Sequence, residues 1–136
     1  MSESLRAMLV RHEGIRLLPY TDTVGKLTIG IGRNLTDNGI TLAEADIMFD
    51  HDVSLAVAKL RTIFPGFDQF FEARQNALIS MMFNLGATRF CKFRKMIAAI
   101  ESGDWQAAAG EMRNSLWASQ LPGRVAELAK MVETGE

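Results

Sequence analysis

The stretch "RHEGIRLLPYTDTVGKLTIGIGRN", residues 11–34, decides how this chain is read. It sets Glu13 beside Gly14, Asp22 nine residues later, and then a strand with glycine at alternate places. Within "KLTIGIG" (26–32), a period of two puts Leu27, Ile29 and Ile31 on one face and Thr28, Gly30 and Gly32 on the other. Glycine has no side chain to pack and loses the most entropy on ordering, so a core strand avoids it. A nearly bare face therefore implies that something bulky approaches the backbone there.

Upstream, residues 3–12 form a short amphipathic helix with Leu5, Met8 and Leu9 on one side, capped by Ser2 or Ser4 and stopped by Gly14. Pro19 breaks any helical continuation, and "TDTVGK" and "TDNG" (36–39) read as turns. "TLAE" (41–44) is a capping box that opens a helix to about Ile63, with apolar residues from Leu42 to Leu60 at helical spacing. Roughly 20 helical residues span about 30 Å, enough to join two lobes. Beyond Pro65 and Gly66 the pattern is helical, over about 68–84, 90–102, 104–117 and 122–134, broken at Gly86, Gly103 and Pro122. The expectation is one α+β domain over 1–136. A small β-containing lobe covers about 12–45, an interlobe helix about 42–63, and a helical lobe about 64–136 plus helix 3–12.

Bulk properties narrow the function. Residues 1–55 carry 5 Lys/Arg against 8 Asp/Glu, and residues 56–136 carry 10 against 8, for a net charge of −1. That balance excludes a strongly basic nucleic-acid binder while allowing the second half a basic face. The single Cys91 permits no internal disulfide and no cysteine metal cluster. "MSESLRAMLV" has no extended apolar run, so neither a cleaved signal nor a membrane anchor is expected.

Glu13 stands where the first helix ends. There the negative end of the backbone dipole disfavours an ionised carboxylate, the setting of a general acid. Asp22 lies in a polar turn, where water and amides favour the charged form. The pair thus divides into an acid and a base, as glycoside hydrolysis requires. Thr28, on the bare face, is placed to share a water with Asp22, while Gly30 and Gly32 clear space for a sugar ring. An inverting glycosidase needs carboxyls about 6.5–9.5 Å apart to admit that water. On residues alone, two solvated surface charges and a hairpin with glycine bulges explain the same pattern.

"HEGIRLLPYTDTVGKLTIGIG" resembles the catalytic region of the phage-type lysozymes, the endolysins of glycoside hydrolase family 24. "NGITLAEADIMFDHDV" is similar to the start of their interlobe helix, "RQNALISMMFNLG" to their buried central helix, and "SLWASQLPGRV" to their C-terminal helix-turn-helix. The resemblance covers most of residues 4–126 in the family's order. It implies a lysozyme-like two-lobe fold and a muramidase that cleaves peptidoglycan by inversion, without cofactor or metal. By the same resemblance Glu13 is the acid, Asp22 activates the water and Thr28 helps hold it. Arg124 salt-bridges the catalytic-glutamate region, and Asn84 is a polar cleft residue facing substrate.

Where many relatives have histidine, this chain has Arg33, which is expected to form a structural salt bridge with Asp52 on the interlobe helix. The segment from Gly32 to Thr41 is shorter than in larger relatives, implying a reduced β-region. A monomer is expected, with peptidoglycan as partner and neither nucleic acid nor stable membrane insertion. It is expected to be made in the host cytoplasm and to reach the wall through a membrane lesion. Two other readings remain. A lytic transglycosylase would use Glu13 without Asp22, and a peptidoglycan-binding virion module would keep the fold without turnover. His12 reads as a surface or packing residue, and the histidines lack metal-site spacing. Phe64, Phe67, Phe70, Phe71, Phe83, Phe90 and Phe93 read as core with Met81 and Met82, as do Trp105 and Trp117, and Cys91 as a small packing residue.

Overall fold

The computed structural model describes residues 2–136, mostly helical with a small three-stranded antiparallel sheet. This is the α+β, lysozyme-like fold class expected from the sequence. The chain divides into two units, Met1–Ile47 and Met48–Glu136.

In the first unit, α1 (Leu5–Glu13) begins at Ser4, whose hydroxyl accepts from the Ala7 amide at 3.1 Å. It stops at Gly14, whose φ of 76° only glycine adopts without strain. Strand β1 (Arg16–Thr21) then pairs antiparallel with β2 (Leu27–Gly30), and β2 with β3 (Arg33–Asn34). The strand at 16–21 was hidden by Pro19. Because β1 is an edge strand with a register irregularity between Arg16 and Tyr20, the missing N–H interrupts little. Asn34 caps the single turn α2 (Leu35–Asn38), which ends at Gly39.

The alternating strand is shorter than its sequence suggests. It stops at Gly30 (φ 69°), and Ile31 and Gly32 (φ 72°) form the turn into β3. The face expected to be greasy is also not the buried one. Leu27 and Ile31 are exposed, whereas Thr28 is buried.

The long helix α3 (Leu42–Ile63) starts on the capping box read from sequence. The Glu44 amide donates to Thr41 Oγ1 at 3.1 Å, and the Thr41 amide donates to Glu44 Oε1 at 2.9 Å.

The second unit holds the hydrophobic core. A 3-10 turn at Phe67–Gln69 leads to α4 (Glu72–Phe90), α5 (Arg94–Glu101), α6 (Trp105–Arg113), α7 (Leu116–Gln120) and α8 (Pro122–Thr134). Gly86, with φ 76° and ψ 165°, breaks α4 at the expected place. The helix expected over 104–117 is two helices, because the Ser115 hydroxyl accepts from the Ala118 amide and starts α7. Leu78 and Met81 of α4 pack with Ala108, Ala109 and Met112 of α6 and Val125, Ala129 and Val132 of α8. The alanines let helix backbones approach closely, and each large buried side chain contributes on the order of 1.5–3 kcal/mol. Phe64, Phe67 and Phe90 belong to this core, whereas Phe71 and Phe83 are exposed, as is Cys91 at the end of α4.

Candidate active site

Glu13 is the last residue of α1 and is solvent-exposed. Its side chain lies against the Gly32 backbone. A Cβ at Gly32 would sit 3.0 Å from Glu13 Oε2 and 3.1 Å from its Cγ and Cδ. Gly32 is therefore bare because Glu13 occupies the space beside it, not to admit a ligand as expected. Gly30 fits that expectation better, since nothing lies within 4 Å of where its Cβ would be.

Asp22 follows β1 and is half-buried. Its Oδ1 accepts from the amides of Val24 (3.0 Å) and Lys26 (2.8 Å), an Asx turn closed by Gly25. The Lys26 carbonyl in turn accepts from the Asp22 amide at 2.9 Å and from Thr28 Oγ1 at 3.0 Å. The backbone of one residue, Lys26, thus fixes both side chains read from the sequence as water-holding, its amide holding Asp22 and its carbonyl Thr28. Oδ2 of Asp22 makes no hydrogen bond among the described residues, and the Thr28 oxygen keeps its lone pairs.

Arg33 forms a salt bridge, but not with Asp52. Its guanidinium donates to Glu44 Oε1 at 2.9 Å and Oε2 at 2.5 Å, and to the Gly39 carbonyl at 3.2 Å. The capping box turns the Glu44 carboxylate back toward the helix start, where the Arg33 fork meets it bidentately, whereas Asp52 lies about two turns further along α3. This pairing, chiefly the Arg33 hydrogen bonds and then the Thr41 amide, pulls Glu44 down to about 2.

In the second unit, Asn84 and Arg124 line one hollow of about 510 Å³ with Phe49, Ser80 and Phe83. Asn84 Oδ1 accepts from Trp117 Nε1 at 2.7 Å. Trp117 is buried as expected, but its indole N–H role was not legible from helical spacing. Phe49 and Phe83 lie 6.0 Å apart between ring centres, and Phe83, expected in the core, is exposed on this wall. Asp52 lines a separate hollow with Lys59. Among the described residues no cluster of three or more His, Cys, Asp and Glu side chains is arranged for a metal, and no helix is long and apolar enough to cross a membrane.

A helix-end glutamate, a turn-held aspartate and a short antiparallel sheet, together with a helical unit, define a lysozyme-like protein. Comparison with known proteins agrees. The Phage lysozyme family profile matches residues 10–131, and the chain belongs to that family. It is 32% identical to "Probable T4-type lysozyme 2" of Dictyostelium discoideum over 99% of this chain and 96% of that protein. It is 28% identical to the "Endolysin" of Acyrthosiphon pisum secondary endosymbiont phage 1, covering 82% of this chain and 76% of that one. It is also 32% identical to the "Pre-baseplate central spike protein Gp5" of Enterobacteria phage T4, over 97% of this chain but 28% of that protein.

Proposed function

We propose that this chain is an endolysin that hydrolyses the β-1,4 bond between N-acetylmuramic acid and N-acetylglucosamine in peptidoglycan, with inversion, for host-cell lysis. Glu13 donates its proton to the glycosidic oxygen as the C1–O bond breaks. A water on the opposite face gives a proton to Asp22 Oδ2 and attacks C1, so the new hemiacetal has the inverted configuration. Because the Thr28 hydroxyl donates to the Lys26 carbonyl, its oxygen is left to accept from that water. The water then has one acceptor to orient it and one to take its proton.

The observation that carries this reading is that the Lys26 backbone holds both side chains, its amide donating to Asp22 and its carbonyl accepting from Thr28. A transglycosylase, whose nucleophile is the sugar's own hydroxyl, has no use for such a pair. By the family resemblance Asn84 meets the sugar chain. The site acts at the cell wall, after release from the host cytoplasm.

The test is turbidity loss of purified peptidoglycan with wild type and Glu13→Gln, with new chain ends identified by mass. Plain reducing ends, lost in the variant, support the hydrolase. The 1,6-anhydro ends of a transglycosylase, or binding by folded wild type without clearing, overturn it.

A further inference from the structure

A concentration of unneutralised positive charge lies away from Glu13 and Asp22 in sequence and is not used by the proposed reaction. Between the last turn of α4 and the first turn of α5, "RFCKFRK" (89–95) supplies Arg89, Lys92, Arg94 and Lys95. All four are exposed and line one hollow of about 550 Å³, with Glu111 as its only acid. None of the four takes part in an ion pair among the described residues.

The aromatic residues of the run explain how the cations are presented. Phe90 is fully buried and Phe93 packs edge-on against Trp117 at 6.1 Å, while the basic residues between and beside them are exposed. The same end of α5 has no side-chain cap, and its first-turn residues Lys95 and Met96 line the hollow. Cations held this close repel one another unless an anion joins them. Two guanidinium forks match the oxygen geometry of phosphate bidentately, and the ammonium groups add point charges.

We infer that this hollow binds a polyanionic phosphodiester chain. Four cations against one acid suit a ligand with repeated charge better than one isolated carboxylate. A volume of about 550 Å³ leaves room for more than one repeat unit of such a chain. The site is independent of the hydrolase reading, because its occupancy is read by binding and not by turnover.

The experiment is equilibrium binding of short poly(glycerol phosphate) to the full chain, with inorganic phosphate as a competing arm. Arg94→Gln/Lys95→Gln is compared with Lys59→Gln/Lys130→Gln, which removes the same charge elsewhere, and thermal melts verify that both fold. The inference predicts salt-sensitive binding that weakens about tenfold or more in the first variant and less than about twofold in the second. Inorganic phosphate should compete only at far higher concentration. No binding by wild type, equal loss in both variants, or retention on phosphatidylglycerol vesicles without polymer binding would overturn it.

Discussion

The side chain of Glu13 lies against Gly32, so closely that a Cβ there would meet its carboxylate at 3.0 Å. The turn that ends the glycine-rich strand thereby supports the proposed acid. Gly30 and Gly32 share the left-handed backbone, at φ 69° and 72°, but only Gly32 has a neighbour. Gly30→Ala and Gly32→Ala should each cost roughly 1–2 kcal/mol of stability from backbone strain. Gly32→Ala alone should also displace Glu13 and lower kcat by about tenfold or more. Denaturant unfolding together with steady-state kinetics checks both halves.

Thr28 is a buried hydroxyl whose proton is committed to the Lys26 carbonyl. Thr28→Val should cost about 1 kcal/mol and depress kcat well beyond that stability loss. Thr28→Ser, which keeps the oxygen, should recover most of the activity. Equal activity in the two variants at a temperature where both are folded would remove Thr28 from the reaction.

The Arg33–Glu44 pair gives the first unit an acid-sensitive joint. The Glu44 carboxyl is held at about 2 in the folded chain against an ordinary 4.5, so ionised Glu44 favours the folded state. That contribution is complete above about pH 4.5 and is lost as pH falls toward about 2. In Glu44→Gln the melting temperature should fall less steeply over this window, although it starts lower because the capping box is weakened. Melts recorded at intervals from pH 2 to 6 read the difference in slope.

The Trp117 indole fixes the Asn84 amide at 2.7 Å. Trp117→Phe keeps most of the buried ring and should cost about 1–2 kcal/mol through the lost hydrogen bond and the lost volume. Its kinetic effect should fall mainly on KM, because Asn84 is assigned to substrate binding and not to proton transfer. A fall in kcat with KM unchanged would contradict that assignment.

What the sequence made legible were features set by local chemistry. Ser4 and Gly14 bounded α1, Thr41 and Glu44 started α3, and Gly86 broke α4, because caps and left-handed glycines act within a few residues. Glu13, Asp22 and Thr28 were singled out by the family resemblance of one short stretch, not by their spacing alone. Less legible were features set by partners distant in sequence. Pro19 concealed an edge strand whose pairing needs β2. Arg33 found Glu44 because the capping box aims that carboxylate backward, which charge spacing along a helix does not reveal. Phe83 looks like core by composition and faces Phe49 at a hollow instead.

The most direct test of the central claim, a water held by Asp22 and Thr28 attacking opposite Glu13, is the anomeric configuration of the newly formed reducing end. It is read by proton NMR within the first minutes of digestion, before mutarotation. The account predicts the α-anomer from the β-linked strand. A first-formed β-anomer, or an end with no free anomeric hydroxyl, would contradict it.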